Sequence, residues 1–359
     1  MWVFLHRKGK IGGIILGTIL EKKNLYMMAF ALLLSIGSIL VLLKITGVKE
    51  IEMAFHIPLF YLGAIFGLII LNLIVDTLRI RDLLRELGEN LPFDYLFKFN
   101  LATFFISYIT PFGSGALPLI VYLLSKKGVS PNKSLMIFTA KLLFSGIFFG
   151  TVPPILLIFF RNQLELGTVL SYFAVLVSIF LMFLLFILIY IILKPRFVIE
   201  IVNKISNISF FKKPKLEKYF EKIKEEIILY HKNFNDLFIG PSSYKLFFSQ
   251  LFYAVAYWLL FYSIAPVLLL AMNIPFNLLA VIGRQLIFYD ILVYSFIPSG
   301  SGVVEIGFAT IFSNILPPSK LGIFVGMWRF FTYYVYLGIS AIGFFMAIKN
   351  QDAKRMLIK

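Results

Sequence analysis

Six stretches of this sequence, Leu25–Leu43, Ile57–Val75, Leu142–Phe160, Leu166–Leu193, Leu246–Met272 and Leu321–Ile348, run nearly free of charge, and only the last holds a charged side chain, Arg329. As helices rising about 1.5 Å per residue, all six can cross the roughly 30 Å of hydrocarbon in a bilayer. Hydrocarbon offers no water to unpaired backbone groups, so unbroken apolar runs of this length fold there as helices. Composition agrees: 60% of the 359 residues are hydrophobic, 14% are charged and the mean hydropathy is +0.91, far from the values of a soluble domain. The fold class that follows is an all-α polytopic membrane protein.

Two other apolar regions are interrupted by one pattern. Pro111-Phe112-Gly113-Ser114-Gly115 and Pro298-Ser299-Gly300-Ser301-Gly302 both read Pro-x-Gly-Ser-Gly. Pro131-Asn132-Lys133 and Pro318-Ser319-Lys320 share the register, since 298 − 111 and 318 − 131 are both 187. Unrelated proline kinks would not keep a common offset, whereas a duplicated half-chain does. Proline removes a backbone donor and glycine frees the backbone, so each pentad ends one helix and lets another begin. Tyr95–Thr110 and Ala116–Ser125 are too short to cross comfortably, which makes the first excursion a re-entrant hairpin; Leu278–Ile297 and Val303–Leu316 make the second. Paired interruptions in two halves point to a substrate site near the bilayer midplane, with the positive N-terminal ends of half-helices facing the ligand. The expected architecture is two inverted repeats with six full spans and two re-entrant helical hairpins. It divides into an N-terminal membrane repeat (1–193), a cytoplasmic amphipathic connector (194–245) and a C-terminal membrane repeat (246–359).

The net charge of +16 falls in particular loops and not along one stripe, so membrane orientation accounts for it better than a nucleic-acid partner. The basic segments around Arg7–Lys23, Arg79–Arg85 and Lys194–Lys245 go to the cytoplasm; the short loops Lys44–His56, Arg161–Glu165 and Asn273–Asn277 go outside. Both termini are then cytoplasmic, with the Pro111 excursion opening inward and the Pro298 excursion outward. Thr77–Asn100, rich in charge, is expected as a surface helix. Ile11–Leu20 is followed by Glu21-Lys22-Lys23 and not by a small-residue cleavage site, so it reads as a retained interfacial segment. In the connector, Lys215–Ile239 places Leu216, Phe220, Ile223, Ile227, Tyr230, Phe234 and Leu237 at helical spacing, predicting one amphipathic helix that either touches anionic headgroups or packs on the bundle.

No enzymatic constellation stands out. There is no cysteine, and His6, His56 and His231 lack metal-ligand spacing. Phosphate-loop, nucleophile-elbow and dinucleotide motifs are missing, so no cofactor is expected. Ser114 and Ser301 have no base within a turn, which makes a polar lining their better role. What does stand out is a set of charged residues inside apolar sequence: Lys141, Arg284, Asp290, Glu305 and Arg329. Facing lipid they would be costly, so they are expected to face the interior, pair, or line a pathway, although Lys141 near a span end can also snorkel. Arg284 and Asp290 lie six apart, too far around a helix to pair, so their partners belong to other segments. Position 328 matches 141 at the 187 offset, so each half brings one cation onto the helix after its pentad. Two cations and two sets of glycine-freed amides suit an anion such as a lipid phosphate. Glu305 and Asp290 suit an amine headgroup, a gating ion pair or proton coupling. The candidate substrate-binding set is Pro111, Gly113, Ser114, Gly115, Lys141, Arg284, Asp290, Pro298, Gly300, Ser301, Gly302, Glu305 and Arg329.

These residues also carry a resemblance. Ile297-Pro298-Ser299-Gly300-Ser301-Gly302-Val303-Val304-Glu305, followed by Trp328-Arg329, resembles the C-terminal motif of the lysylphosphatidylglycerol synthase transmembrane-region family, also called flippase-like or UPF0104. Thr110–Gly115 and Tyr122-Leu123-Leu124-Ser125-Lys126-Lys127-Gly128-Val129-Ser130 are similar to its first-half motifs, and the similarity covers nearly the whole chain. The family usually has an acid just after the first Gly motif, where this chain has Ala116, and a Glu-Arg pair where it has Ala140-Lys141. In full-length synthases of this kind the membrane region moves aminoacylated phosphatidylglycerol between leaflets and a separate soluble domain makes it. The resemblance therefore implies a stand-alone lipid translocase in the cell (inner) membrane that handles a phospholipid or polyprenyl-linked lipid and lacks its own transferase domain. A membrane-embedded transferase acting on a lipid carrier is the alternative, a coupled small-solute transporter a third reading, and a homo-oligomer is left open.

Overall fold

The computed structural model describes residues 22–46, 57–208, 214–240, 243–292 and 300–356, and every regular element among them is helical. In chain order these are α1 (Lys22–Ile45), α2 (Leu59–Glu86), α3 (Phe93–Ile109), α4 (Ala116–Ser125), α5 (Pro131–Phe159) and α6 (Thr168–Leu193). Then come α7 (Pro195–Ser206), α8 (Pro214–Phe238), α9 (Ser243–Tyr262), α10 (Ile264–Ala271), α11 (Leu278–Leu292), α12 (Val303–Phe312), α13 (Pro318–Arg329) and α14 (Tyr336–Met356). Among the described residues, five stretches are long and apolar enough to cross a membrane: Leu59–Glu86, Pro131–Phe159, Leu170–Leu193, Ser243–Ala271 and Pro318–Ile348. The remaining apolar stretch, Leu25–Leu43, lies on the 24-residue α1. Along α6 the exposed side chains Tyr172, Leu176, Ile179, Phe183, Phe186 and Tyr190 follow helical spacing, an apolar stripe that suits lipid and not water.

The helices flanking the two pentads share their boundaries. Helices α4 and α12 both have ten residues, starting at 116 and 303 and ending at 125 and 312, and α5 and α13 both start on proline at 131 and 318. Each of these three boundaries recurs at 187. Both apolar cores mix the two halves. One joins Ile65 and Ile69 of α2 to Phe308 and Trp328; the other joins Leu96 and Phe99 of α3 and Met136 of α5 to Phe344 and Ala347 of α14. Helix α3 lies along α14, where the Phe105 and Phe344 rings are 5.0 Å apart and Gly343 admits the Leu101 side chain.

Two expectations are corrected. Thr77–Asn100 is not a surface helix: α2 continues without a break to Glu86 and buries Thr77, Arg79, Ile80, Leu83 and Leu84. No Pro or Gly interrupts residues 76–87, and Ile80, Leu83 and Leu84 carry the buried stripe onward at three-to-four spacing. The helix ends at Gly88, whose φ of 78° suits a left-handed cap and whose N–H bonds Arg85 O at 2.9 Å. Arg79 is thus an interior residue, not a loop cation. The connector, in turn, holds two helices, α7 and α8, packed on each other. Helix α8 also docks on the bundle: Phe234 and Leu237 are buried, Tyr230 Oη and Thr139 Oγ1 are 2.6 Å apart, and His231 Nδ1 is 3.0 Å from Ile192 O. The Ile11–Leu20 segment and Pro298 lie outside the described residues.

Candidate functional site

The second pentad delivers an ion pair to the interior. Gly300 (φ 62°) and Gly302 (φ 87°) take backbone conformations that L side chains resist, which turns the chain sharply into α12. Glu305 then falls at the third position of α12, where its carboxylate can reach back over the helix start. Its Oε2 accepts the Gly302 N–H at 2.5 Å, satisfying a donor that the helix start leaves unpaired. Its Oε1 accepts the Ser35 hydroxyl of α1 and stands 2.7 Å from Arg329 Nε at the end of α13. Arg329 also donates to Ser301 Oγ at 3.3 Å and lies over the Tyr333 ring, 4.2 Å from its centroid. Tyr334 Oη donates to Ser35 at 2.9 Å and closes the group. Glu305, Ser301 and Ser35 are 0% exposed and Arg329 only 4%, so the pair is held out of solvent.

Local sequence explains the convergence. After Arg329 the backbone widens into a π-helical turn, Phe330–Val335, which lets Tyr333 and Tyr334 both face the cluster. Trp328 stacks on Phe308 with ring centroids 3.6 Å apart, fixing α13 against α12. A Cβ on Gly302 would meet the Leu34 side chain at 3.1 Å, so the bare backbone there lets α1 approach the pentad.

In the first half, Lys141 lies within α5, far from either end, and its Nζ is 2.7 Å from Asp76 Oδ2 on α2. Asp76 is 1% exposed, and Arg79, one turn further on, is equally buried and donates to Lys141 O at 3.0 Å. The same face of α2 carries Asn72, which donates to Tyr257 O at 2.6 Å and accepts from Tyr336 Oη at 3.0 Å. Each half therefore buries one carboxylate paired with the cation of the helix that follows its pentad. The carboxylate missing beside Lys141 at Ala140 and Ala116 is supplied by α2.

The pentads are otherwise unlike. Thr110 is extended (φ −111°, ψ 143°) and its Oγ1 accepts the Gly115 N–H at 3.1 Å, while Gly113 is left-handed at φ 64°. Ser114 and Phe112 are exposed, whereas Ser301, Gly300 and Gly302 are buried. Arg284 and Asp290 share no partner with Glu305. Arg284 donates to Leu164 O (2.6 Å), Ile311 O (2.5 Å), Glu165 O (3.1 Å) and Glu165 Oε2 (3.3 Å). It ties the C-terminal end of α12 to the turn after α5, matching positive charge to helix-end carbonyls. Asp290 accepts the Ser178 hydroxyl of α6 at 3.3 Å. Asp76, Ser35 and Tyr334 escaped the sequence reading, which also took Arg79 for a loop cation; Asp76 and Arg79 follow the point where hydropathy ends the span, and Ser35 and Tyr334 are uncharged residues inside apolar sequence.

A family model described as the lysylphosphatidylglycerol synthase TM region matches residues 28–340, which contain every residue of both clusters. The chain belongs to that family. It is similar to a UPF0104 membrane protein of Archaeoglobus fulgidus, 25% identical over 289 residues that make up 78% of this chain and 85% of the relative. No solved structure matches it. Family membership and the apolar helices together make the chain a multi-pass membrane protein.

Proposed function

We propose that the protein is a lipid translocase that moves a phospholipid or polyprenyl-linked lipid headgroup between leaflets, its termini in the cytoplasm and its tails-out substrate passing between two inverted repeats. The observation that carries this reading is the buried Glu305–Arg329 pair at the broken start of α12. Glu305 occupies the seat that an anion would take, because a helix N-terminus, a guanidinium and the Ser35 hydroxyl converge on its carboxylate. A lipid phosphate arriving there competes with Glu305 for Arg329 and the Gly302 amide, and a cationic headgroup competes with Arg329 for Glu305. Either exchange replaces one charge-assisted contact by another, which keeps the cost of opening small. The common 187 offset of α4 with α12 and of α5 with α13 supports the duplication, and the ten-residue length of α4 and α12, about 15 Å, supports hairpins that enter and leave by one face. Lys141 with Asp76 forms the matching seat in the first half, and the Gly113-Ser114-Gly115 turn, with Ser114 exposed, is its entrance. Arg284 braces the second hairpin.

The test is translocation of fluorescent phosphatidylglycerol and of its lysylated form in liposomes. Native protein is expected to move at least one faster than protein-free liposomes do, and Glu305→Gln, which keeps the shape and one acceptor oxygen but removes the charge, to hold more co-purified anionic lipid while moving it at least about tenfold more slowly. Native protein that moves neither lipid, or a Glu305→Gln variant as fast as native, overturns the reading.

A further inference from the structure

Asp290 has no part in the ion pairs described above, yet it is 1% exposed in the middle of the apolar bundle. Its Oδ2 takes one long hydrogen bond from Ser178, and its Oδ1 has no partner among the described residues. Tyr262 of α9, 0% exposed, is close enough to feel its charge, and the Tyr262 hydroxyl also lacks a partner among the described residues. From the other elements packed on α11, namely α5, the Arg161–Leu164 turn, α10 and α12, no Lys, Arg or His of the described residues reaches Asp290. The described part of α6 contributes no charge at all. A bare carboxylate at this depth with a single hydroxyl donor is too costly to persist, so positive charge must accompany it.

We propose that Asp290, with Ser178 and Tyr262, forms the site of a small monovalent cation, a proton or a sodium ion, that is coupled to the lipid movement. Ser178 of α6 and Asp290 of α11 bring two oxygens together, the Tyr262 hydroxyl of α9 is near enough to feel the carboxylate charge, and α11 leads within eight residues to the second pentad. Tyr289, the neighbour of Asp290, packs on Trp328 with centroids 6.5 Å apart, so a shift of α11 that admits or releases the cation also moves the residue beside Arg329. The coupling rests on the translocase reading; the cation site does not.

The experiment therefore measures binding separately from transport. Thermal unfolding of the purified full-length protein in detergent is followed against sodium chloride, with choline chloride as control, and against pH without sodium. Sodium that raises the midpoint in native protein but not in Asp290→Asn identifies a sodium site. A pH dependence that Asp290→Asn removes, without a sodium effect, identifies a proton site. At a sodium site, where the Ser178 oxygen is a ligand, Ser178→Ala is expected to raise the half-saturating sodium concentration about tenfold; at a proton site, where the hydroxyl donates to the ionised carboxylate, it is expected to lower the half-saturating proton concentration. Native and Asp290→Asn proteins with the same response to both cations overturn the site. In liposomes, a sodium or proton gradient is expected to drive net movement of fluorescent phosphatidylglycerol in native protein but not in Asp290→Asn. Cation binding without any lipid movement removes the translocase reading and the coupling, and leaves the site.

Discussion

At the scale of single residues the second-half cluster is a satisfied ion pair with an uneven dependence on its members. Glu305 accepts from the Gly302 amide and the Ser35 hydroxyl and forms an ion pair with Arg329, so Glu305→Ala leaves Arg329 buried beside the unpaired amide and hydroxyl. Removing one partner of a buried pair costs about 3–5 kcal/mol, and removing both costs less than the two losses added together. Glu305→Ala is expected to lower unfolding stability by that amount in detergent, and the Glu305→Ala, Arg329→Met double variant to recover part of it; additive losses would mean that the two side chains act independently. The charged residues of this cluster were legible because a charge in apolar sequence is conspicuous. Asp76 was not, because it stands one residue past the point where mean hydropathy ends the span, although the burial pattern of α2 runs on through Ile80 and Leu84. Ser35 and Tyr334 carry no such mark: a lone hydroxyl in a transmembrane stretch looks the same whether it bonds its own helix or a distant carboxylate.

Elements are held together by close backbone approach where the chain has no water-driven force to bring helices together within lipid. Helix α14 carries the contrast within one turn and a half. A Cβ at Gly343 would overlap the Leu101 side chain of α3, whereas one at Gly338 meets nothing within 4 Å. Gly343→Ala is therefore expected to destabilise the protein by about 1–3 kcal/mol, as overpacking does, and Gly338→Ala to be neutral or to stabilise by up to about 1 kcal/mol through helix propensity. Thermal unfolding of the two variants side by side checks this, and equal shifts would refute the α3–α14 contact. The duplicated helix boundaries were legible from the paired prolines and glycines, because those residues fix the backbone wherever they occur. The different surroundings of the two pentads were not legible. Two identical patterns differ in exposure because α1 packs on α12 and α13, putting Leu34 against Gly302, while Phe112 and Ser114 stay exposed.

For the whole molecule the open geometric question is which face each loop occupies, and the composition makes it easy to ask. The chain has no cysteine, so every single-cysteine variant reports one position with no background. Glu225 on α8, Gln163 in the turn after α5 and Ser114 in the first pentad are all exposed. Helix α4 spans about 15 Å at the helical rise, half of the roughly 30 Å hydrocarbon layer, so in the proposed hairpin the chain would enter through α3 and turn back inside the membrane at the pentad. With cytoplasmic connector helices, an impermeant maleimide added outside intact cells is expected to label Gln163→Cys, to leave Glu225→Cys untouched until the membrane is permeabilised, and to leave Ser114→Cys untouched as well. Labelling of Ser114→Cys from outside would turn the first hairpin into a pair of full crossings and move its pentad to the outer surface. It could not then serve as the inner entrance to the Asp76–Lys141 seat, and the pairing of two oppositely opening seats would fail, however well the 187-residue repeat itself survived.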